Sequence, residues 1–183
     1  MSDRSRLLQL LTEKSFAKKK VVLSSGRESD FYIDCKKTVL TAEGHWLVGT
    51  LMFAGVRSKF PTAIGVGGLT MGADPIASAV SLVSFLGQVP LQAFLVRKEA
   101  KGHGTGQWIE GLTAFASGAK VAIVEDVVTT GASTLKAIER ARAEGLEPVG
   151  AFALVDRDEG GREAVEASGV KVHALFTRRD FPA

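Results

Sequence analysis

The stretch that decides the fold is Val121-Ala-Ile-Val-Glu125-Asp126-Val-Val-Thr129-Thr130-Gly131-Ala-Ser-Thr134. Its first four residues are apolar without polar alternation, which predicts a strand buried on both faces, as in a parallel sheet. Two carboxylates follow at the carboxyl end of that strand, where open α/β sheets bind ligands. Residues 129–134 then offer hydroxyl and backbone N–H groups at a predicted helix N-terminus, which favours an anion. Because carboxylates repel phosphate, we expect them to face sugar hydroxyls or a metal, and the whole stretch to suit a phosphorylated ribose.

Strand-like and helix-like segments alternate along the chain from residue 63 onward. Apolar runs predict further strands at 63–66, 91–96, 147–155 and 170–175. Helical spacing predicts helices at 73–85, 132–144 and 161–167, and a glycine-rich loop is expected at 67–72. This alternation is typical of an α/β fold in which helices flank a central parallel sheet.

The N-terminal residues follow a different pattern. A first helix can begin near Ser2, two short antiparallel strands are predicted at 21–23 and 31–33, and Thr41 can cap a further helix that runs to about Lys59. The length fits a single domain. We expect that domain to cover residues 1–183, with a small N-terminal unit, called the hood below, at about 1–40 and a core at about 41–183.

The composition limits the partners that the chain can have. A net charge of +3, from 23 basic and 20 acidic residues, suits acidic small molecules but does not indicate nucleic acid. Two Trp and one Tyr are too few for a platform that stacks single-stranded bases. The lone Cys35 excludes an internal disulfide and fits a reducing, cytoplasmic compartment. The apolar segment 64–87 contains Asp74-Pro75 and five glycines, which disfavours a membrane span.

Glu125-Asp126 followed by Thr129-Thr130-Gly131 resembles the motif by which type I phosphoribosyltransferases bind phosphoribosyl diphosphate (PRPP). In that family the acidic pair binds the ribose 2′- and 3′-hydroxyls, and the loop after it surrounds the 5′-phosphate. The resemblance implies the type I fold, an α/β architecture in which helices flank a central parallel sheet beneath a small N-terminal hood. A Walker phosphate loop is excluded, because Gly131 is not followed by Lys and then Ser or Thr.

A second polar segment, Arg97-Lys-Glu-Ala-Lys101-Gly-His103-Gly-Thr-Gly106, combines cationic side chains with glycines. Packing it would be costly, because its charges would lose solvation and its glycines would lose entropy. Its charge suits a diphosphate leaving group. The segment resembles the mobile catalytic loop of the orotate phosphoribosyltransferases, which closes over PRPP and reaches the neighbouring subunit. The resemblance therefore implies a homodimer in which loop 97–110 reaches the neighbouring site.

Two further segments resemble the base-binding parts of the same family. Residues 23–34 are similar to the hood strands that cover the base, with Phe31 and Tyr32 placed to line a ring pocket. Packing of these two rings as ordinary strand residues is an equal alternative. Arg157 follows a predicted strand end in the place of an arginine that binds orotate, and a guanidinium can hold a carboxylate in a bidentate fork. A surface ion pair of Arg157 with Asp158 or Glu159 is the other interpretation.

The resemblance implies an enzyme that transfers ribose 5-phosphate from PRPP to orotate, a step of pyrimidine (UMP) biosynthesis that gives orotidine 5′-monophosphate and diphosphate. Mg²⁺ is the implied cofactor, held mainly through PRPP oxygens rather than by a protein cage. The expected catalytic residues are Lys101, His103 and Asp126. The expected orotate contacts are Phe31, Tyr32, Thr129 and Arg157. The expected PRPP and diphosphate contacts are Arg97, Lys98, Lys101, His103, Glu125, Asp126, Val127, Val128, Thr129, Thr130, Gly131, Ala132 and Ser133.

Three positions depart from the family pattern. Ser24 stands where the hood often has a lysine, the loop 67–72 has no lysine, and Glu125 replaces a commoner aspartate. The first two departures remove positive charge near the substrates.

Two other functions stay open at this point, namely transfer to another base such as a purine, and a regulator that binds PRPP without turnover. The loop at 97–106 and Arg157 favour orotate, and the absence of a strongly basic segment disfavours the regulator.

Overall fold

The computed structural model describes residues 1–22, 28–100 and 107–182, and it confirms the predicted α/β fold. The strands are β1 (Phe16–Val22), β2 (Glu28–Ile33), β3 (Gly65–Leu69), β4 (Gln92–Val96), β5 (Ile109–Glu110), β6 (Lys120–Val128), β7 (Glu147–Asp156) and β8 (Val172–Thr177). The α-helices are α1 (Asp3–Leu10), α2 (Lys36–Val39), α3 (Ala42–Lys59), α4 (Ala73–Leu86), α5 (Ala132–Ala143) and α6 (Gly161–Glu166). A π-helical turn at Leu11–Ser15 continues α1, and 3₁₀ turns lie at Leu112–Ala114 and Arg178–Asp180.

The central sheet has the strand order β5-β4-β3-β6-β7-β8. Strands β4, β3, β6, β7 and β8 are parallel, whereas β5 is antiparallel to β4. The sheet is therefore mixed at one edge, where the sequence pattern predicts no strand between residues 97 and 110. Ile109 explains the difference, because it pairs with Val96 and is fully buried.

Two central strands are longer than the sequence pattern predicts. Strand β3 runs through Gly67 and Gly68 to Leu69, although residues 67–72 were expected to form a loop. Gly68 lies so close to the backbone of Val124 on β6 that a side chain would not fit there. Strand β6 continues to Val128, which pairs with Asp156 on β7, so the two carboxylates lie inside the strand rather than after it.

Strand β6 is buried on both faces, as its apolar run predicts. Ala122 and Val124 belong to a core formed with α3 and α4, whereas Val121 and Ile123 belong to a second core formed with α5. Side chains alternate between the two faces of a strand. Glu125 therefore continues the face toward α5, and Asp126 continues the opposite face. Within the part of the chain that the structure describes, no helix is long and apolar enough to cross a membrane.

The hood contains an antiparallel pair of strands in which Phe16 of β1 faces Ile33 of β2. Strand β1 begins five residues before the predicted position, and α2 was not predicted. Three rings tie the pair to the end of the chain. The Phe31 ring lies 5.1 Å from the Phe16 ring and 5.5 Å from the Phe181 ring, measured between centroids. The hood is thus packed against residues that follow β8.

We predict that Phe181→Ala lowers the free energy of unfolding by about 3–5 kcal/mol, because the Phe181 ring is buried against the Phe31 ring of the hood. Denaturant unfolding followed by circular dichroism measures the effect. Leu40→Ala, at an exposed position, is the control and should change stability by less than about 0.5 kcal/mol. Equal stability of the two variants would contradict this description of the contact.

Candidate active site

Glu125 is a carboxyl group buried where β6 meets α5, with 5% of its surface exposed. The hydroxyl of Thr134, also buried, donates a hydrogen bond of 3.1 Å to Glu125 Oε2. Burial raises the pKa of Glu125 to about 8, and the neighbouring charge of Asp126 adds to the effect. Near neutral pH the Glu125 side chain of the free protein therefore holds its proton, so it can donate as well as accept a hydrogen bond.

Asp126 faces the opposite side of the sheet, toward α2 and the β3–α4 loop. The backbone N–H of Val127 donates to Asp126 Oδ1 at 2.9 Å. Gly72 lies beside the same oxygen, and a Cβ atom at position 72 would be 2.5 Å from Oδ1. The ammonium nitrogen of Lys36 is 4.0 Å from Oδ2. The carboxylate of Asp126 is thus confined by three separate segments of the chain.

The loop between β6 and α5 encloses a pocket of about 190 Å³ lined by Glu125 and residues 127–134. Gly131 precedes α5 with a left-handed φ of +79°, and a Cβ there would be 2.7 Å from the carbonyl oxygen of Gly161. Only glycine satisfies both the conformation and the contact. The first N–H groups of α5 face this pocket end of the helix, where they and the helix dipole favour an anion. The structure therefore brings Glu125 together with the predicted residues 127–133 in one pocket, whereas Asp126 is not among the residues that line it.

Arg157 lies at the end of β7, where its backbone N–H donates to the carbonyl of Val128 at 3.0 Å. Its side chain is buried, and its Nη2 donates to the carbonyl oxygen of Phe31 at 2.7 Å and to Glu159 Oε1 at 3.0 Å. The ion pair with Glu159 that the sequence left open is therefore present, but inside the protein. This guanidinium links the hood to the sheet edge that carries the pocket.

Phe31 and Tyr32 occupy different environments, because neighbours on a strand point to opposite faces. The Phe31 ring is buried in the aromatic cluster with Phe16 and Phe181. The Tyr32 ring is half-buried, and the ammonium nitrogen of Lys19 lies 3.9 Å from its centroid. The two side chains therefore do not line one surface together.

Arg97 begins the polar segment and is held in place by an ion pair, with its Nη1 2.9 Å from Glu110 Oε1. The carbonyl of Lys98 accepts a hydrogen bond of 3.1 Å from the ammonium group of Lys136 on α5. Arg140, one turn further along α5, stacks its guanidinium on the Trp108 ring at 3.3 Å. The predicted residues Lys101 and His103, like Ser24 of the hood, lie outside the described residues.

Sequence reasoning missed Thr134, Lys36 and the α5 contacts of Lys136 and Arg140. Thr134 stood at the end of the quoted motif and could have been paired with Glu125 as the polar partner that a buried carboxyl requires. The other contacts join residues that are far apart in the sequence, for which no local spacing gives a signal.

The acidic pair bears on the metal that the sequence analysis expects. Among residues 1–22, 28–100 and 107–182, no group of three His, Cys, Asp or Glu side chains could hold a metal ion. Glu125 holds its proton near neutral pH, which leaves Asp126 as the carboxylate of the pair better suited to face a cation. The donor set fits an ion whose other ligands are substrate oxygens.

We predict that Gly131→Ala weakens PRPP binding by on the order of tenfold or more, because the new Cβ forces the loop away from Gly161. Gly118→Ala is the matched control, since Gly118 also has a positive φ, +77°, but has open space around it. Isothermal titration calorimetry gives the two dissociation constants. Equal PRPP affinities in the two variants would refute the role given to this turn.

The raised pKa of Glu125 predicts how stability varies with pH. The folded protein keeps this proton up to about pH 8, whereas the unfolded chain loses it near 4.5, so unfolding becomes easier as the pH rises between these values. Glu125→Gln removes this dependence. We expect its Tm to exceed that of the unmutated protein by at least about 3 °C at pH 9, with a smaller difference at pH 5.

The control for that measurement is Glu139→Gln, which changes an exposed carboxyl on α5 and should follow the unmutated protein at every pH. A Tm difference for Glu125→Gln that does not grow with pH would mean that Glu125 is ionised in the folded protein throughout this range.

Comparison with known proteins shows which family this chain belongs to. A model of the phosphoribosyl transferase domain matches residues 62–173. The orotate phosphoribosyltransferase of Sorangium cellulosum is 57% identical over 180 residues, which cover 98% of this chain and 93% of the relative. That of Aquifex aeolicus is 46% identical, with 96% of each chain covered.

A solved structure extends the likeness to three dimensions. The orotate phosphoribosyltransferase of Mycobacterium tuberculosis in complex with PRPP superimposes with a TM-score of 0.78 at 35% identity, and 98% of each chain is covered. Identity at this level over nearly the whole length, together with the pocket between β6 and α5, places the chain in the orotate phosphoribosyltransferase family of the type I phosphoribosyltransferases.

Proposed function

We propose that this protein transfers ribose 5-phosphate from PRPP to orotate, giving orotidine 5′-monophosphate and diphosphate for UMP synthesis. The observation that carries the proposal is the pocket between β6 and α5, which joins the carboxyl group of Glu125 to a glycine turn and a helix N-terminus. Ribose hydroxyls and a phosphate are neighbours in one sugar phosphate, and this pocket offers a group for each. The family relationship supplies the base and the leaving group.

Each end of the sugar phosphate has its own partners in the proposed complex. The N–H and hydroxyl groups of residues 129–133 bind the 5′-phosphate, because the loop and the helix dipole both favour an anion. Glu125 and Asp126 bind the ribose hydroxyls. Glu125, protonated in the free protein, can donate to one hydroxyl, whereas Asp126 accepts. Binding in this way fixes the sugar while the bond at its anomeric carbon breaks.

The base site is proposed to lie between the hood and the end of β7. Arg157 joins these two parts through its hydrogen bond with the Phe31 carbonyl, so it lies where a base covered by the hood would be held. Its guanidinium suits the carboxylate that distinguishes orotate from uracil. Thr129, which directly follows β6, is the other residue proposed to contact the base. Phe31 contributes through its backbone and its packing, and Tyr32 presents a separate, half-buried ring.

The leaving diphosphate gains negative charge as the bond to the ribose breaks, and cations must offset it. Arg97 and Lys98 begin the segment proposed to supply them, with Lys101 and His103 further along. Asp126 is the described carboxylate of the pair that would face a Mg²⁺ ion, which would supply further charge neutralisation when bound. Arg97 is held by Glu110 in the free chain, and this pair would have to open or rotate for Arg97 to reach a diphosphate.

We propose a homodimer in which loop 97–110 reaches the neighbouring site. One face of α4 supports self-association, because Leu82, Phe85 and Leu86 are exposed there at helical spacing.

We further propose that residues 1–183 act as one domain, since the hood is packed on residues at the chain's other end through Phe31 and Phe181. A cytoplasmic location fits the family and the buried, unpaired Cys35.

The reaction is tested by following the ultraviolet absorbance of orotate on addition of protein, PRPP and Mg²⁺. We expect orotate to be consumed only when all three are present, and adenine, hypoxanthine and uracil to be rejected as acceptors. Chelation of the metal should stop the reaction, and its return should restore it. Turnover of a purine in place of orotate would overturn the base assignment of Arg157. Binding of PRPP without turnover of any base would favour the regulator.

A further inference from the structure

Lys36 lies between two acidic side chains that come from different parts of the fold. Its ammonium nitrogen is 2.8 Å from Asp34 Oδ1 and 4.0 Å from Asp126 Oδ2. The backbone N–H of Lys36 also donates to Asp34 Oδ1, at 3.3 Å. Asp34 directly follows β2 of the hood, whereas Asp126 lies on β6. Lys36 therefore bridges the hood and the strand that carries the acidic pair.

The ammonium group is held in this place rather than sampling it freely. The carboxylate of Asp34 interacts with both the ammonium group and the backbone N–H of Lys36, and α2 begins at Lys36. The hydrogen bond that Lys36 donates to Asp34 raises the pKa of Lys36 above its ordinary value, and the same bond holds the pKa of Asp34 below its usual range. The lysine is thus charged throughout the pH range of an enzyme assay.

The ammonium group of Lys36 is the cation that lies beside the second oxygen of Asp126. Oδ1 accepts the hydrogen bond of the Val127 N–H, Gly72 lies close to both carboxylate oxygens, and Oδ2 is the oxygen that lies 4.0 Å from the Lys36 ammonium nitrogen. The nearest cationic group to Oδ2 in the described ion pairs is Lys36. A carboxylate with one oxygen fixed by the backbone and the other drawn by an ammonium group has a defined orientation.

The site also needs positive charge here. Glu125 and Asp126 are adjacent, PRPP is strongly anionic, and residues 67–72, which end beside Asp126, contain no lysine. The side chain of Lys36 is 41% exposed and that of Asp126 is 16% exposed, so this pair is partly shielded from solvent.

We propose that Lys36 is a positioning residue for the reaction, which orients the Asp126 carboxylate toward the ribose and offsets the negative charge of the acidic pair. The inference rests on the proposed function, because it assigns Lys36 to the same ribose site. It acts through Asp126 and not through contact with the reacting atoms. Asp34 is its support, and the position of Lys36 compensates for the lysine that the β3–α4 loop lacks.

Lys36→Met is the test, with Lys37→Met as the matched control, because Lys37 is the next residue of α2 and is exposed. We expect Lys36→Met to lower kcat/KM for PRPP by tenfold to a hundredfold, on the order expected for a misplaced catalytic group, mainly through kcat. Lys37→Met should match the unmutated protein. Lys36→Arg, which keeps the charge near Asp126, should recover most of the rate, and the Tm values of the variants should agree within about 2 °C.

A double-mutant cycle shows whether Lys36 acts through Asp126. In an Asp126→Asn background, the further change Lys36→Met should have little additional effect. Additive losses would overturn the proposal, as would a rise in KM for PRPP with unchanged kcat, which would make Lys36 a simple anion contact. Equal kinetics of Lys36→Met and Lys37→Met would overturn it outright.

The unmutated protein in the same assay keeps this inference distinct from the proposed function. If it turns over orotate, the variants test Lys36 alone. If it does not, the proposed reaction fails, and PRPP dissociation constants measured by calorimetry on the same four proteins of the cycle still report the coupling. Independent effects of the two substitutions on PRPP affinity would then overturn the role of Lys36.

Discussion

The hydrogen bond between Thr134 and the buried carboxyl of Glu125 is the contact on which the site depends. It joins the end of β6 to the first turn of α5, and the loop between these two elements forms the pocket. An unpaired carboxyl at this depth would be costly, so β6, the turn and the helix are fixed relative to one another by the need to satisfy it. The same burial keeps the proton on Glu125 near neutral pH. One constraint thus sets both the shape and the charge of the pocket.

Helix α5 connects this pocket to the polar segment after β4. Its N-terminus faces the pocket, whereas Lys136 holds the carbonyl of Lys98 and Arg140 stacks on Trp108. Lys98 and Trp108 lie on the two sides of the segment that contains Lys101 and His103. Residues on both sides of that segment are therefore attached to the helix that borders the pocket between β6 and α5.

In the described part of the chain, β1 and β2 form a sheet of their own, and charged and aromatic contacts attach the hood to the core. Arg157 donates to the Phe31 carbonyl, Arg178 pairs with Asp30, and Phe31 packs on Phe181. On the other side of the hood, Asp34 and Lys36 extend from the end of β2 toward Asp126. These contacts place the hood over the carboxyl ends of the central strands, where parallel sheets bind ligands. The expected base site and ribose site are therefore next to each other.

The sequence by itself determined the parts of the protein that depend on neighbours in the chain. The apolar run before Glu125 predicted a strand buried on both faces, and the hydroxyl and glycine residues after it predicted the turn into α5, because periodicity and turn chemistry are local properties. The family motif followed from the same stretch.

Only the tertiary structure decided which face each carboxylate takes and what surrounds it. The pairing of β6 with β7 carried the strand past Glu125, and that placed Asp126 against Gly72 and Lys36, which come from two other segments. Pairing of Ile109 with Val96 likewise gave the sheet an antiparallel edge strand, which the mostly polar sequence around Ile109 did not predict. Burial and charge at a site are sums over residues distant in the chain, and so the raised pKa of Glu125 and the bridge through Lys36 exist only once the chain is folded.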